Sequence, residues 1–318
     1  MATIYEVAAK AGVSPATVSR VFNGITVRPG YAERVRAAAE ELSFVPNRTA
    51  RRLRRQASEV IALVIPDIEN PFFTALARGV EDRAMAGGFS VVLCNSDEQP
   101  EKETRYLQVA LSEHMAGVVL APAGDHPELD ALLGRSTPVV VVDRQAPHHD
   151  LDTVVMDDEA IGRDETLRLY DGGAALVACI TGPTGVGTAH RRAEGWAEAF
   201  ASRSPDADPA TYLERADYRV EGGHTAMERL LDLPTPPDAV LVANNLMGVG
   251  ATRALAERSS DVTLLILGDL PFGMFPRPGS RVVPLPARRL GTEAADLLLA
   301  RIKGDRTPTR TVVLDAGL

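Results

Sequence analysis

Two regimes of hydrophobic spacing divide the chain. In the first, apolar positions fall three and four apart: Ile4, Val7, Ala8 and Ala11, then Val18, Val21 and Phe22, then Val35, Ala38, Ala39 and Leu42. Such spacing puts apolar side chains on one helix face and predicts three short amphipathic helices. Thr3 and Glu6 stand in capping-box relation at the head of the first, and Gly12 ends it. Ser14 caps the second, whose first turn accepts Pro15 because no N–H is needed there. The third runs from about Gly30 to Leu42. Two helices about the turn Ala11-Gly12-Val13 are a helix-turn-helix, with the third as packing partner.

From Glu59 the pattern changes to continuous apolar runs alternating with longer amphipathic stretches. Residues Val60 to Ile65, Ser90 to Cys94, Gly117 to Ala121, Val139 to Val142, Ala175 to Ile180, Ala239 to Ala243 and Val262 to Leu267 read as strands buried on both faces. The helical stretches are Phe72 to Ala86, Lys102 to Glu113, Glu159 to Tyr170, Ala189 to Ser202, Glu221 to Leu231, Met247 to Arg258 and Leu290 to Lys303. This alternation means parallel sheets covered by helices, and its length favours two similar lobes over one sheet. The lobe change is expected near Thr153 to Asp158 and the return near Val282 to Leu285.

A formal charge of −9 argues against a nucleic-acid partner until the charges are located. Residues 1–58 carry ten Lys or Arg against four Glu, a net +6, and the remainder carries −15. A basic headpiece is drawn to phosphates and an acidic body is kept off them. Cys94 and Cys179 each sit in an apolar run and read as small buried hydrophobes, with no disulfide framework. Met1 leads directly into helix signals, with no apolar leader and no run of transmembrane length. A cytoplasmic protein with no membrane partner is therefore expected.

With the second helix in a major groove, Pro15, Ala16 and Arg20 meet base edges. Arg20 suits bidentate pairing with guanine, and Pro15 and Ala16 suit contact with a thymine methyl. Ser14, Thr17, Ser19 and Asn23 are short hydrogen-bonding residues suited to phosphates, although Ser14 serves equally as a cap alone. In the stretch Pro46 to Arg55, Asn47 can cap a helix of about two turns, too short to stand alone in water. Ala50 and Leu53 share one side of it, flanked by arginines that include Arg54. Paired with its twin from a second subunit, such a wedge suits insertion into a minor groove. The alternative is a disordered basic linker.

Ligands of open parallel sheets bind beyond the carboxyl ends of strands. Those ends supply Asp67, Asn70, Phe72 and Phe73, then Asp143 and Arg144, Arg192, Tyr218, Asn244 with Asn245, and Asp269. Aromatics with amides, carboxylates and an arginine suit a ring with a polar rim, a sugar or nucleobase. Three of these residues have a second reading: Asn70 as the N-cap ahead of Pro71, Phe73 as core, and Arg144 in a lobe-to-lobe salt bridge. Catalysis finds no foothold. The segment Gly182 to Gly187 lacks the Lys-Ser/Thr of a P-loop and dinucleotide spacing. No serine sits in a nucleophile-elbow frame, and the six histidines, His148 and His149 among them, show no ligand spacing. No enzyme activity, metal or cofactor is expected.

These segments together resemble the LacI/GalR family over essentially the whole chain. Ile4 to Ala8 and Gly12 to Asn23 match its headpiece, and Pro46-Asn47 with Ala50 and Leu53 matches its hinge helix. Pro66 to Phe73, Gly117 to Leu120 and Val142-Asp143-Arg144 match its ligand domain. The resemblance implies an α/β body of two Rossmann-like lobes, periplasmic-binding-protein-like of type I, behind an all-α helix-turn-helix headpiece. It divides the chain into a headpiece (1–45), a hinge helix and linker (46–58), and a body (59–318) with lobe 1 at about 59–155 plus 285–308 and lobe 2 at about 156–284 plus 309–318. It implies a homodimer on a pseudo-palindromic double-stranded DNA operator, repressing until a small-molecule effector releases it. Leu53 becomes the minor-groove wedge, while Phe72, Phe73, Arg192, Tyr218 and Asp269 fall at pocket positions. Three departures bear on the effector. Asn244-Asn245 stands where Asn-Asp is usual, Leu267-Gly268-Asp269-Leu270 replaces Gly-Phe-Asp-Asp, and Tyr170 to Gly173 lacks the usual Gly-His. A lost carboxylate admits a less hydroxyl-rich or even anionic effector, and a sugar or related metabolite remains the first expectation. A corepressor-driven regulator uses the same residues and is the alternative, while a solute-binding protein shares the body but not the basic headpiece.

Overall fold

The structure, a computed structural model, describes residues 2–22, 25–44, 58–124, 128–146, 148–271 and 273–315. The chain divides into two compact units, Met1–Ala57 and Ser58–Leu318. In the first, α1 (Ile4–Ala11), α2 (Pro15–Phe22) and α3 (Tyr31–Glu41) form where the apolar spacing puts them. The side chains of Thr3 and Glu6 each accept a hydrogen bond from the other's backbone N–H, completing the capping box. Gly12 takes the left-handed φ of 62° that the turn requires, and the Val13 N–H closes it on the Ala8 carbonyl at 3.0 Å. Val7, Val18 and Val35, one from each helix, are fully buried against one another's neighbours.

The second unit opens with β1 (Val60–Ile65), α4 (Pro71–Ala86), β2 (Ser90–Asn95), α5 (Pro100–Ser112), β3 (Gly117–Leu120), α6 (Glu128–Gly134), β4 (Val139–Val142) and β5 (Asp152–Met156). It continues through α7 (Asp158–Asp171), β6 (Val177–Thr181), α8 (Gly187–Arg203), β7 (Leu213–Arg215), α9 (Val220–Leu231), β8 (Ala239–Val242), α10 (Asn245–Glu257), β9 (Thr263–Leu267) and β10 (Arg281–Val283), then closes with α11 (Ala287–Ile302) and β11 (Thr311–Leu314). Two sheets result, ordered β11-β5-β4-β3-β1-β2 and β10-β9-β8-β6-β7, with all pairings parallel. They define lobe 1 and lobe 2.

Three expectations need correction. Strand β2 is not buried on both faces, because it is a sheet edge and leaves Val92 and Leu93 exposed. Strands β5, β7 and β10 and helix α6 are additional, each too short or too irregular in sequence to show a period. Strand β11 belongs to lobe 1, not lobe 2: it pairs with β5, Val312 opposite Val154. A clamp explains the placement. Arg301, near the end of α11, takes the Asp152 carboxylate through Nε at 2.6 Å and Nη2 at 3.1 Å, and also donates to the carbonyls of Asp305, Thr307 and Pro308. The segment after α11 is thereby folded back onto the first sheet.

Helices pack in three close pairs, α4 with α11, α7 with α8 and α9 with α10, and each pair exchanges glycines. A Cβ on Gly79 or Gly291 would lie 2.1 Å from the carbonyl oxygen of Arg288 or Leu76 on the facing helix. The same holds at Gly162 (2.2 Å from the Arg192 oxygen), Gly195 (1.9 Å from that of Glu159), Gly223 (2.3 Å from that of Met247) and Gly250 (1.9 Å from that of Val220). Backbone blocks the space, so no side-chain rotation relieves it. Gly162→Ala is expected to destabilise the folded chain by about 2–4 kcal/mol, seen as a lower urea midpoint at unchanged slope. An unchanged midpoint would contradict the close approach.

Candidate ligand cleft and DNA-contact face

The α7–α8 glycine pair sets the lobe 2 wall of the cleft. It brings Asp158, in the first turn of α7 and fully buried, against Arg192 of α8, whose Nε donates to the carboxylate at 2.8 Å. Arg192 Nη1 donates to the Ala243 carbonyl at the end of β8, 2.7 Å away, so the guanidinium is held from two sides. Tyr218 follows β7 at a left-handed φ of 64°, and its ring lies flat on Gly182, where a Cβ would meet Cζ at 2.2 Å. Its hydroxyl lies 3.4 Å from Thr188 Oγ1, and burial pushes the phenol pKa up. Asn244 caps α10, accepting the Met247 N–H at 2.9 Å. Asn245 accepts the Leu246 N–H and donates to the Asp269 carbonyl at 2.8 Å.

Lobe 1 supplies the opposite wall. Asn70 Oδ1 caps α4 through the Phe72 N–H at 2.9 Å, and the rings of Phe72 and Phe73 meet edge to face at 5.1 Å. Asp143 stands at φ 67° directly after β4 and is buried, and desolvation pushes its carboxyl up to about 6. Arg144 donates to both oxygens of Glu98, at 2.7 and 2.5 Å, and to the Pro122 carbonyl at 3.1 Å. The alternative reading of Arg144 as a lobe-to-lobe salt bridge does not hold, since Glu98 belongs to the same lobe. Arg219, just before α9, reaches Asp67 across the cleft at 3.1 Å.

The cleft between these walls is open to solvent, with about 560 Å³ of empty space counting the solvent at its mouth. Asn70, Phe72, Phe73, Asp143, Arg144, Arg192, Tyr218, Asn244 and Asn245 all line it, and Asn70 and Phe73 fill their structural roles as well. Asp269 does not line it: Gly268, at φ 89°, turns the chain after β9 and leaves Asp269 exposed. Glu98, Thr188, Asp217 and Arg219 also line the cleft and escaped the sequence reading. The strand-end rule applied to β2 points to Glu98, whereas β7, with three residues, gives no signal for Arg219. Glu98, Asp143 and Tyr218 all hold left-handed backbone without being glycine, and such strain gathers at ligand sites.

In the headpiece, Ala16 and Arg20 lie one helical turn apart and exposed on α2, with Pro15 half-buried beside them. Ser14 is exposed and caps α2 through the Thr17 N–H at 3.2 Å, while Thr17 and Ser19 are half-buried. Asn23 and the hinge residues Asn47, Ala50, Leu53 and Arg54 lie outside the described residues. Among the described residues no helix is long and apolar enough to cross a membrane, and no group of three His, Cys, Asp or Glu is placed to hold a metal ion.

The raised Asp143 carboxyl fixes a pH signature. Because its pKa is higher folded than unfolded, its protonation favours the folded state below about pH 4, and that contribution is lost as pH rises through about 6. Asp143→Asn is expected to melt higher than the parent above pH 7, by about 2–3 kcal/mol of stability, with the difference closing towards pH 4. Melting curves that run parallel across this range would remove the buried charge.

Comparison with known proteins agrees with both units. The model for bacterial regulatory proteins of the lacI family matches residues 3–47, and that for periplasmic binding proteins and the sugar binding domain of the LacI family matches residues 58–316. The chain is 30% identical over 325 residues to the HTH-type transcriptional repressor CytR of Escherichia coli strain K12, covering 100% of this chain and 94% of that one. To the ribose operon repressor of the same strain it is 33% identical over 310 residues, covering 95% and 93%. Among solved structures, a transcriptional regulator CelR–cellobiose complex superposes with a TM-score of 0.73 at 30% identity, over 99% of this chain and 97% of that one. The Lac repressor dimer bound to operator and the anti-inducer ONPF superposes with a TM-score of 0.85 at 25% identity, over 98% and 96%. The headpiece, the two-lobed body and these matches agree: the chain belongs to the LacI family and is a sequence-specific, effector-binding transcriptional regulator.

Proposed function

We propose that the chain is a homodimeric repressor that holds a pseudo-palindromic double-stranded operator until a sugar or related small metabolite enters the cleft. Pro15, Ala16 and Arg20 read bases, Ser14, Thr17, Ser19 and Asn23 take phosphates, and Asn47, Ala50, Leu53 and Arg54 form the minor-groove hinge. The effector stacks on Phe72 and bonds to Asn70, Asp143, Arg144, Arg192, Tyr218, Asn244 and Asn245. One observation supports this above the others: buried charged groups and strained backbone from both lobes converge on one cleft. Exposed Met85, Val92 and Leu93 on lobe 1 support pairing with a second copy. The ribose operon repressor and the CelR–cellobiose complex support a sugar-like effector, and CytR, named a repressor, supports the sign of the regulation.

The test is operator binding by fluorescence anisotropy, on a site selected from random DNA, titrated with monosaccharides, cellobiose and nucleosides. Release by one compound supports the proposal, and tighter binding would establish a corepressor instead. Arg20→Ala is expected to weaken the selected site by about 1–3 kcal/mol, roughly 5- to 150-fold, with little change on random DNA. Leu53→Ala is expected to weaken operator binding while the compound still raises the Tm of the protein. Equal operator affinity for parent and Leu53→Ala would remove the wedge.

A further inference from the structure

Every arginine that lines the cleft already holds a carboxylate of this chain. Arg192 has Asp158 at 2.8 Å, Arg219 has Asp67 at 3.1 Å, and Arg144 has Glu98 through two bonds of 2.7 and 2.5 Å. Asp143 adds another buried carboxylate, whose nearest cation is the already occupied Arg144, 3.7 Å away at Nε. The balance of the cleft is therefore negative before any ligand arrives.

The Glu98–Arg144 pair differs in kind from the other two. A guanidinium fork meeting two oxygens is how an arginine takes the carboxylate or phosphate of a ligand. Arg144 is buried and braced by Pro122, so it is a fixed receptor. Glu98 arrives on the loop after β2, through two consecutive left-handed residues, Asp97 at φ 53° and Glu98 at φ 58°. That turn is pinned at Asp97 by the Asn95 amide at 2.6 Å and by Lys102, and at Glu98 by its N–H to the Pro66 carbonyl at 3.2 Å. The backbone is bent into an unfavourable region, and the bend delivers a carboxylate to an arginine whose fork would otherwise face a ligand.

We propose that Glu98 is a specificity-determining residue, a built-in anion that occupies Arg144 so that the cleft refuses phosphate- or carboxylate-bearing ligands and selects uncharged effectors. This rests on the cleft being the effector site and narrows the effector's chemistry. A phosphorylated metabolite must displace Glu98 and set its own charge beside Asp143, whereas a hydroxyl group donates to Asp143 directly. The carboxylate missing at Asn245, which widened the expectation to anions, is returned to the cleft at Glu98.

Thermal melting of the full chain with inorganic phosphate as the probe, against chloride at equal ionic strength, tests this. Glu98→Gln and Glu98→Gly both free Arg144, and glycine also accepts the left-handed backbone, which protects the test from a folding failure. The expected result is no phosphate response in the parent, a saturable rise in Tm of about 2–4 °C in both variants, and loss of that rise when Arg144→Gln is added to Glu98→Gly. A parent that responds as strongly as Glu98→Gly overturns the proposal, and so does silence in both variants. The measurement uses neither operator nor effector, so its failure leaves the repressor proposal standing, and failure of operator release leaves the phosphate result standing.

Discussion

Glycine against carbonyl oxygen is the contact on which the body of this protein depends. Three helix pairs approach until the backbone of one touches the backbone of the other, and each pair does so twice, once from each side. The consequence reaches the cleft. Gly162 lies under the carbonyl of Arg192 itself, so the spacing of α7 and α8 fixes how far the guanidinium stands from Asp158. Gly223 and Gly250 fix the starts of α9 and α10, the ends that present Arg219 and Asn244. Gly79 and Gly291 hold α11 on α4, which begins with Asn70, Phe72 and Phe73. Precise packing at the rear of the lobes thus becomes precise placement at their mouth.

The charges follow the same logic at shorter range. The buried Arg144 and Arg192 are tolerable because each is paired, one on each wall, and the half-buried Arg219 pairs with Asp67 over the gap between them. Asp143 breaks the pattern: burial raises its pKa, and Arg144, 3.7 Å away and already engaged by Glu98, offsets only part of that. Groups in this condition are poised to accept a donor, which is what a ligand site needs and what a purely structural interior avoids.

Much of this was legible in the sequence because period and burial coincide. The headpiece helices announce themselves by caps and spacing, and β1, β3, β4, β6, β8 and β9 are apolar along their length because helices cover both faces. Strand β11 shows the limit. Its own residues are compatible with either lobe, and what decides is Arg301 meeting Asp152, 149 residues away in sequence. The cleft divides in the same manner. Residues at the ends of clear strands, such as Asn70, Asp143 and Asn244, follow from topology alone. Arg219 follows a strand too short to see, and Asp269 is turned away by the glycine before it. Neither event leaves a trace in hydrophobic pattern.

The placement of β11 changes the topology of the whole body. Among the described residues the chain leaves lobe 1 after Met156 and re-enters it at Ala287, with lobe 2 contained between as one uninterrupted segment. Within the described residues lobe 1 is the host and lobe 2 the guest, joined before Asp158 and after Val283. A segment whose sheet and helix pairs close within themselves can be exchanged as a cassette without reopening the host's fold. One half of the ligand chemistry is therefore carried by a single contiguous segment, while Glu98 and Arg144 belong to the half that surrounds it in sequence.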